Sequence, residues 1–406
     1  MFLSLAWRNI WRNPRRTAVI LAAVVIGVWC MVFLGALMRG MMVEMVDNGI
    51  ATLTGHLQIH RKGYQSDPVI ENSMRDPGPA SKALQDSLPA GSHWTARVRV
   101  NAVANNARHN AGVTLVGIDP ACEAKVSFIG HAVAQGQYLK PDDDYGIVVG
   151  QALLEKFETK LGHKLILMSQ DTGRQIASRA FRIRGVFHAQ QRATEKQFVF
   201  VTKAAAQDML KLGSGISELS ALLPEAASPQ KAADRLRGEL PGAYEVLTWP
   251  QLLPLIKLYL GMMDSFVVIW YVVVFVAMGF GIVNTTLMAV FERIREYGLL
   301  KSLGLKPWGI IKGVMAESFF LLLIGAALGN ALGLATVWAL SYHGIDLSAL
   351  AQGAEFFGMG RVIYPEAHIK DILTANLVVF ILGLVVCLYP AVKAARFTPV
   401  EALAHT

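Results

Sequence analysis

Four runs of apolar residues, each long enough to cross a bilayer as a helix, constrain this chain more than any other feature. They are Thr17 to Met38, Ser265 to Val290, Gly313 to Leu340 and Ile372 to Val392. A hydrocarbon layer about 30 Å thick needs roughly 20 such residues, and each run supplies them. With 53% hydrophobic residues over 406 positions, the chain falls in the membrane class. The runs predict an all-α transmembrane part of four helices, at 17–38, 265–291, 313–340 and 372–392.

Between the first two spans lie residues 39–264, too long for a linker and so expected to be a folded domain. Met41 to Gly49 reads as a stalk continuing the first span, and Leu252 to Gly261 as a second stalk leading back. Gly55 to His60, Val98 to Ala104, Gly112 to Gly117, Gly146 to Gly150, Lys164 to Met168, Arg179 to Val186 and Phe198 to Thr202 are strand-like. Gln151 to Phe157, Ala204 to Leu212 and Pro229 to Leu240 have helical patterns. The expectation is a large α+β domain. Residues 341–371, with four acids and two bases, form a shorter loop on the same side.

Charge sets the topology. The formal net charge of +8 is concentrated: residues 1–16 hold Arg8, Arg12, Arg15 and Arg16, and residues 292–312 are net +3. The tail 393–406 is net +1, which completes the total. Positive loops stay inside, so both termini and residues 292–312 are expected in the cytoplasm and the α+β domain outside. No basic face on a soluble domain points to nucleic acid. Residues 1–16 place Trp7 and Trp11 beside Leu3 and Ile10, with arginines opposite, as in a helix lying on the inner leaflet. The first run is a full span with no small-residue cleavage site after it, which argues against a signal peptide. Cys30 and Cys387 fall inside spans and Cys122 stands alone in the domain, so no disulfide framework is expected.

The run Phe291 to Lys312 joins the second and third spans. Ile294, Leu299, Leu300 and Leu303 suit one apolar helical stripe, Gly304 ends that helix, and Pro307 can begin the next. Such a helix is too short and too charged to span. It is either an ordinary basic loop or a surface that presses on a partner. Its wording, Glu292-Arg293-x-Arg295-Glu296-x-Gly298-Leu299-Leu300-Lys301-x-Leu303-Gly304, resembles the coupling helix of the FtsX-like and MacB-like (type VII) ABC-transporter permeases, with Tyr297 where Ile is usual. Leu5 to Thr17 is similar to the family's opening, Gly117-Ile118-Asp119-Pro120 to its turn, and Tyr389 to Leu403 to its ending. The layout resembles that of the lipoprotein-releasing LolC/LolE branch.

The resemblance implies an outer MacB-like periplasmic core domain and a multi-pass protein of the bacterial inner membrane. It also implies a cytoplasmic ABC ATPase dimer docking on Glu292, Arg293, Glu296, Gly298, Leu299, Lys301, Leu303 and Gly304. ATP and Mg would be bound by that ATPase, with no cofactor in this chain. A second permease copy or paralogue, membrane lipids and a periplasmic chaperone or adaptor complete the implied partners. The implied work is extraction or expulsion of an amphipathic substrate such as a lipoprotein or lipid, transmitted mechanically. FtsX-like control of a cell-wall hydrolase and MacB-like drug or peptide efflux are the alternatives.

No G-x-x-x-x-G-K-[ST] phosphate loop occurs in the sequence, so the chain is not read as the motor or as an enzyme. His56 and His60 share one face of a strand-like run and read as two exposed polar side chains, not a metal pair. Asp142-Asp143-Asp144 reads as a solvated turn, and Gly213 to Ser217 lacks the context of a nucleophile elbow. Neither a catalytic nor a metal site is expected. Met38, Met41, Met42, Met262 and Met263 stand at the outer ends of the first two spans; they either face lipid-bearing cargo, as the resemblance suggests, or pack ordinarily. Gly325, Gly329 and Gly333 form a small-residue stripe that admits a neighbouring helix, from this chain or another. Glu317, inside the third span, calls for snorkelling or for a basic partner from the 292–312 loop.

Overall fold

The structure, a computed structural model, describes residues 2–346 and 362–397, with side chains from Ser4 onward. The ending motif at Pro399 to Leu403 and the middle of the 341–371 loop lie outside the described residues. Two compact units are present: a helical unit of residues 2–43, 259–346 and 362–397, and an α+β unit of residues 44–258.

The α+β unit holds ten strands: β1 (Leu57–Arg61), β2 (His93–Asn105), β3 (Asn110–Ile118), β4 (Val133–Gly136), β5 (Gly146–Gly150), β6 (Lys164–Gln170), β7 (Ile176–Phe187), β8 (Phe198–Thr202), β9 (Glu218–Leu222) and β10 (Tyr244–Thr248). Their order is β10-β1-β9-β2-β3-β8-β5-β7-β4, with β6 pairing β2 and β7. β2 serves two lobes. Residues 93–97 pair with β9, and residues 98–105 pair with β3 and β6. One lobe packs helices Gly78–Ser87 and Pro229–Glu239 around Leu57, Leu84, Leu219 and Leu236. The other packs helices Gln151–Lys156 and Lys203–Met209 around Leu115, Val149, Phe181 and Val199.

The position of β1 overturns one expectation. It lies between β9 and β10, and four of its five residues are buried, so His60 is enclosed instead of exposed. His60 stacks on Tyr64 at 5.2 Å between centroids and shares a 2.9 Å hydrogen bond with Gln58, and burial lowers its pKa. His56 precedes the strand and accepts a hydrogen bond from the Leu223 amide at 2.9 Å. An alternating pattern predicts one solvated face only where one face is left uncovered.

A buried arginine fastens the entrance of the α+β unit. Helix Pro14–Gly49 runs into a π turn, Ile50–Thr54, in which Leu53 has φ of 101°, a conformation uncommon for a non-glycine residue. The Leu53 carbonyl accepts hydrogen bonds from Arg97 and from Gln58 Nε2. Arg97 forks onto Glu123 (2.9 and 2.8 Å) and reaches Glu218 at 3.0 Å, and all three side chains are essentially inaccessible. A Cβ at Gly49 would lie 2.8 Å from Leu253 and 2.9 Å from Ile256, so the unit's two chain entries touch there.

In the helical unit, four helices are long and apolar enough to cross a membrane: Pro14–Gly49 with its π turn, Pro254–Glu292, Pro307–His343 and Ile369–Arg396. Val19, Ile26, Phe280, Leu377, Ile381 and Val385 on them are more than half exposed, a surface that only hydrocarbon solvates well. The glycine stripe is used within the chain. Cβ atoms at Gly325, Gly329 and Gly333 would meet Val24, Val28 and Val32 at 2.5, 2.7 and 2.8 Å. Polar groups between the helices pair: Asn330 with Asn376 (2.8 and 3.1 Å), Trp29 Nε1 with Thr336 (3.1 Å), and Arg39 with Asp371 (3.1 and 3.0 Å). Gly329→Leu should therefore lower stability by about 1–3 kcal/mol, since an overpacked site must push rigid helices apart. Gly313→Leu on the same helix, with no atom near its Cβ, should not lower the thermal midpoint of the purified chain. Equal midpoints for both variants would contradict the packing assigned to the stripe.

Candidate functional site

The connection from helix Pro254–Glu292 to helix Pro307–His343 is built from backbone breaks that the sequence dictates. Arg293 leaves the helical region (φ −105°, ψ 16°), and a short helix then runs from Ile294 to Ser302. Gly304 takes φ of +94°, which favours glycine, and Pro307 starts the next helix where its missing N–H is harmless. That helix begins six residues before the expected span start at Gly313.

The expected apolar stripe divides between two faces. Ile294 and Gly298 are buried and Tyr297 half-buried, an i, i+3, i+4 set on the inward face, from which Tyr297 packs against Val290, Ile310, Val314 and Ala394. Leu299 and Leu303 are 55% and 77% exposed, and Leu300 and Trp308 are exposed beside them. At about 100° per residue, leucines five and nine positions after Ile294 lie roughly 140° and 180° around the axis from it, so they cannot share its face.

The charged residues hold this helix in place. Glu317 lies between Arg16 (3.1 Å) and Arg293 (2.9 Å), and Arg16 also reaches Glu292 at 3.3 Å. Both arginines are under 10% exposed. Arg293 further donates to the Asn9 carbonyl at 3.0 Å, and Arg12 pairs with Glu296 at 2.6 Å. Lys301 donates to the carbonyls of Ala395 and Phe397, both at 2.6 Å, at the end of the last helix. The residues expected to meet a partner therefore sort into two groups. Arg293, Gly298 and Lys301 face this chain, while Glu292, Glu296, Leu299, Leu303 and Gly304 are exposed. Sequence reading anticipated a basic partner for Glu317 from the loop. Arg16, far away in the chain, carried no local signal.

Glu317→Ala should leave the nearly buried Arg293 without a carboxylate and Arg16 with Glu292 alone, a loss of about 3–5 kcal/mol. Amide exchange over 294–302 should then rise at least about tenfold. Unchanged exchange there would contradict the anchoring role.

The methionines at the outer ends of the first two spans differ in exposure. Met42 is buried, Met38, Met41 and Met263 are half-buried, and Met262 is exposed.

A family model described as FtsX-like permease C-terminal matches residues 268–399, and one described as MacB-like periplasmic core domain matches residues 17–239. The chain is 22% identical to the lipoprotein-releasing system transmembrane protein LolC of Xylella fastidiosa strain Temecula1, over 94% of this chain and 92% of that protein. It is 22% identical to LolC of Neisseria meningitidis serogroup B, over 96% and 94%. The macrolide export ATP-binding/permease protein MacB of Bdellovibrio bacteriovorus is 32% identical over 31% of this chain and 17% of that one. The crystal structure of the periplasmic region of MacB from Actinobacillus actinomycetemcomitans aligns with 52% of this chain and 94% of its own, at 16% identity and a TM-score of 0.36.

Proposed function

Because this chain belongs to the FtsX-like, MacB-like family of ABC-transporter permeases, we propose that it is the membrane subunit of an inner-membrane transporter whose ATPase is a separate chain. Its cargo, in this reading, is a lipoprotein or a similar lipid-bearing amphiphile. The observation that carries the proposal is the exposed leucine face at Leu299 and Leu303 on a helix whose other side is locked by buried ion pairs. An exposed apolar patch on a fixed element suits a docking surface for another protein.

Both termini and residues 292–312 are then cytoplasmic, and an ATPase dimer holding ATP and Mg grips two such helices from two permease chains. Closure of that dimer pushes on residues 294–302. Arg16 and its partner Glu292 pass the push to helices Pro14–Gly49 and Pro254–Glu292, which at 1.5 Å per residue are about 54 and 58 Å long. Each exceeds the roughly 30 Å hydrocarbon layer and reaches into the α+β unit without a break. Similarity to LolC along nearly the whole of both chains favours lipoprotein cargo over drug efflux, since the MacB relative matches 31% of this chain.

Proteoliposomes containing the chain, its ATPase and an acylated lipoprotein provide the test. ATP should release the lipoprotein to an acceptor. No release, combined with macrolide sensitivity on gene deletion, would replace this reading by efflux. ATPase stimulation by a cell-wall hydrolase alone would replace it by signalling.

A further inference from the structure

A cavity of about 550 Å³ opens within the α+β unit where β2 passes from one lobe to the other. Its volume falls in the range of small-molecule sites, about 300–1,000 Å³. Trp94 lines it and also packs against the lobe core around Leu57 and Leu219. Lys125 and Lys203 also line the cavity, and among the described residues neither is paired with a carboxylate. Asp119, the acid on this wall, is occupied in accepting from the amides of Ala121 (3.2 Å) and Cys122 (3.4 Å).

We infer that this cavity binds a small amphipathic anion: an apolar tail laid on Trp94 and a phosphate or carboxylate head met by Lys125 and Lys203. The inference goes beyond the transport reading and stands apart from it, because neither an ATPase nor turnover enters the argument. Two ammonium groups suit an anion's several acceptor oxygens, and the aromatic wall gives the tail a surface to leave water.

Cys122 lies at the rim as an exposed thiol and provides the readout. The test measures alkylation of Cys122 by N-ethylmaleimide in the full chain in maltoside detergent, quantified on the Cys122 peptide by mass spectrometry. Octyl phosphate should slow the reaction at least fivefold, and inorganic phosphate or octanol alone less than twofold. Octyl trimethylammonium should give no protection. Lys125→Gln with Lys203→Gln should abolish protection by octyl phosphate while leaving the near-ultraviolet circular dichroism unchanged. No protection by octyl phosphate would overturn the inference. Equal protection by octanol or by the cationic probe would overturn its anionic half without any need for the variant. Equal protection by inorganic phosphate would make free phosphate the ligand and overturn the amphipathic half.

Discussion

Arg97→Ala should destabilise the α+β unit by about 3–5 kcal/mol, because Glu123 and Glu218 would stay buried with their principal partner gone. The loss is a large part of the 5–15 kcal/mol that holds an ordinary domain together. It strikes three places at once: the β2–β9 pairing, the segment carrying Glu123, and the left-handed Leu53 whose carbonyl Arg97 caps. Hydrogen exchange of the β2 and β9 amides should accelerate by about 10²–10³-fold, with exchange in helix 307–343 unaffected. Replacing the whole set, Arg97→Met with Glu123→Leu and Glu218→Leu, should recover most of the loss, since no charge is then stranded. Unaltered exchange in Arg97→Ala would mean that the network contributes nothing.

The same network gives the unit an acid limit. Burial alone would raise the Glu218 carboxyl, but Arg99 and Arg97 more than reverse this and hold it below its usual value. A folded pKa below the unfolded one adds stability above the unfolded value, about 4.3, and that stability fades as the pH falls through the folded one.

The second large effect concerns output without a change in fold. Leu299→Asp with Leu303→Asp alters two exposed side chains, so stability should move by no more than about 0.5 kcal/mol per site. Full burial of a leucine at a docking centre is worth about 1.5–3 kcal/mol, and a desolvated carboxylate adds to the loss. Affinity for the ATPase should fall at least about 10³-fold, measured by titrating labelled ATPase onto the detergent-solubilised permease. Cargo-stimulated ATP hydrolysis should fall with it. Wild-type affinity in this variant would remove the leucine face from the account.

The parts legible in the sequence were those with a local signature. The spans showed as long apolar runs, β8 as Phe198 to Thr202, and the helix break as Gly304 followed by Pro307. Gaps in the reading came where distant residues decide the environment. β9 begins with Glu218, which no strand pattern favours, and it is buried because Arg97 waits 121 residues away. Gly325, Gly329 and Gly333 announced a close approach but could not name Val24, Val28 and Val32 as its other side. Leu299 and Leu303 looked like one stripe with Ile294, but offsets of five and nine residues at about 100° each place them on the opposite side of the helix axis. The cavity beside Trp94 is lined by segments from Pro77 to Ile216, and no short motif encodes it.

The central claim is that a separate ATPase holds the Leu299–Leu303 face. Photo-crosslinking residues placed in living cells at Leu303, and for comparison at the lipid-facing Leu377, test it most directly. The account predicts an ABC ATPase adduct at position 303, absent at 377 and strengthened when ATP hydrolysis is blocked. Position 303 giving no ATPase adduct, or being labelled from outside the cell by a reagent that cannot cross the membrane, would contradict it.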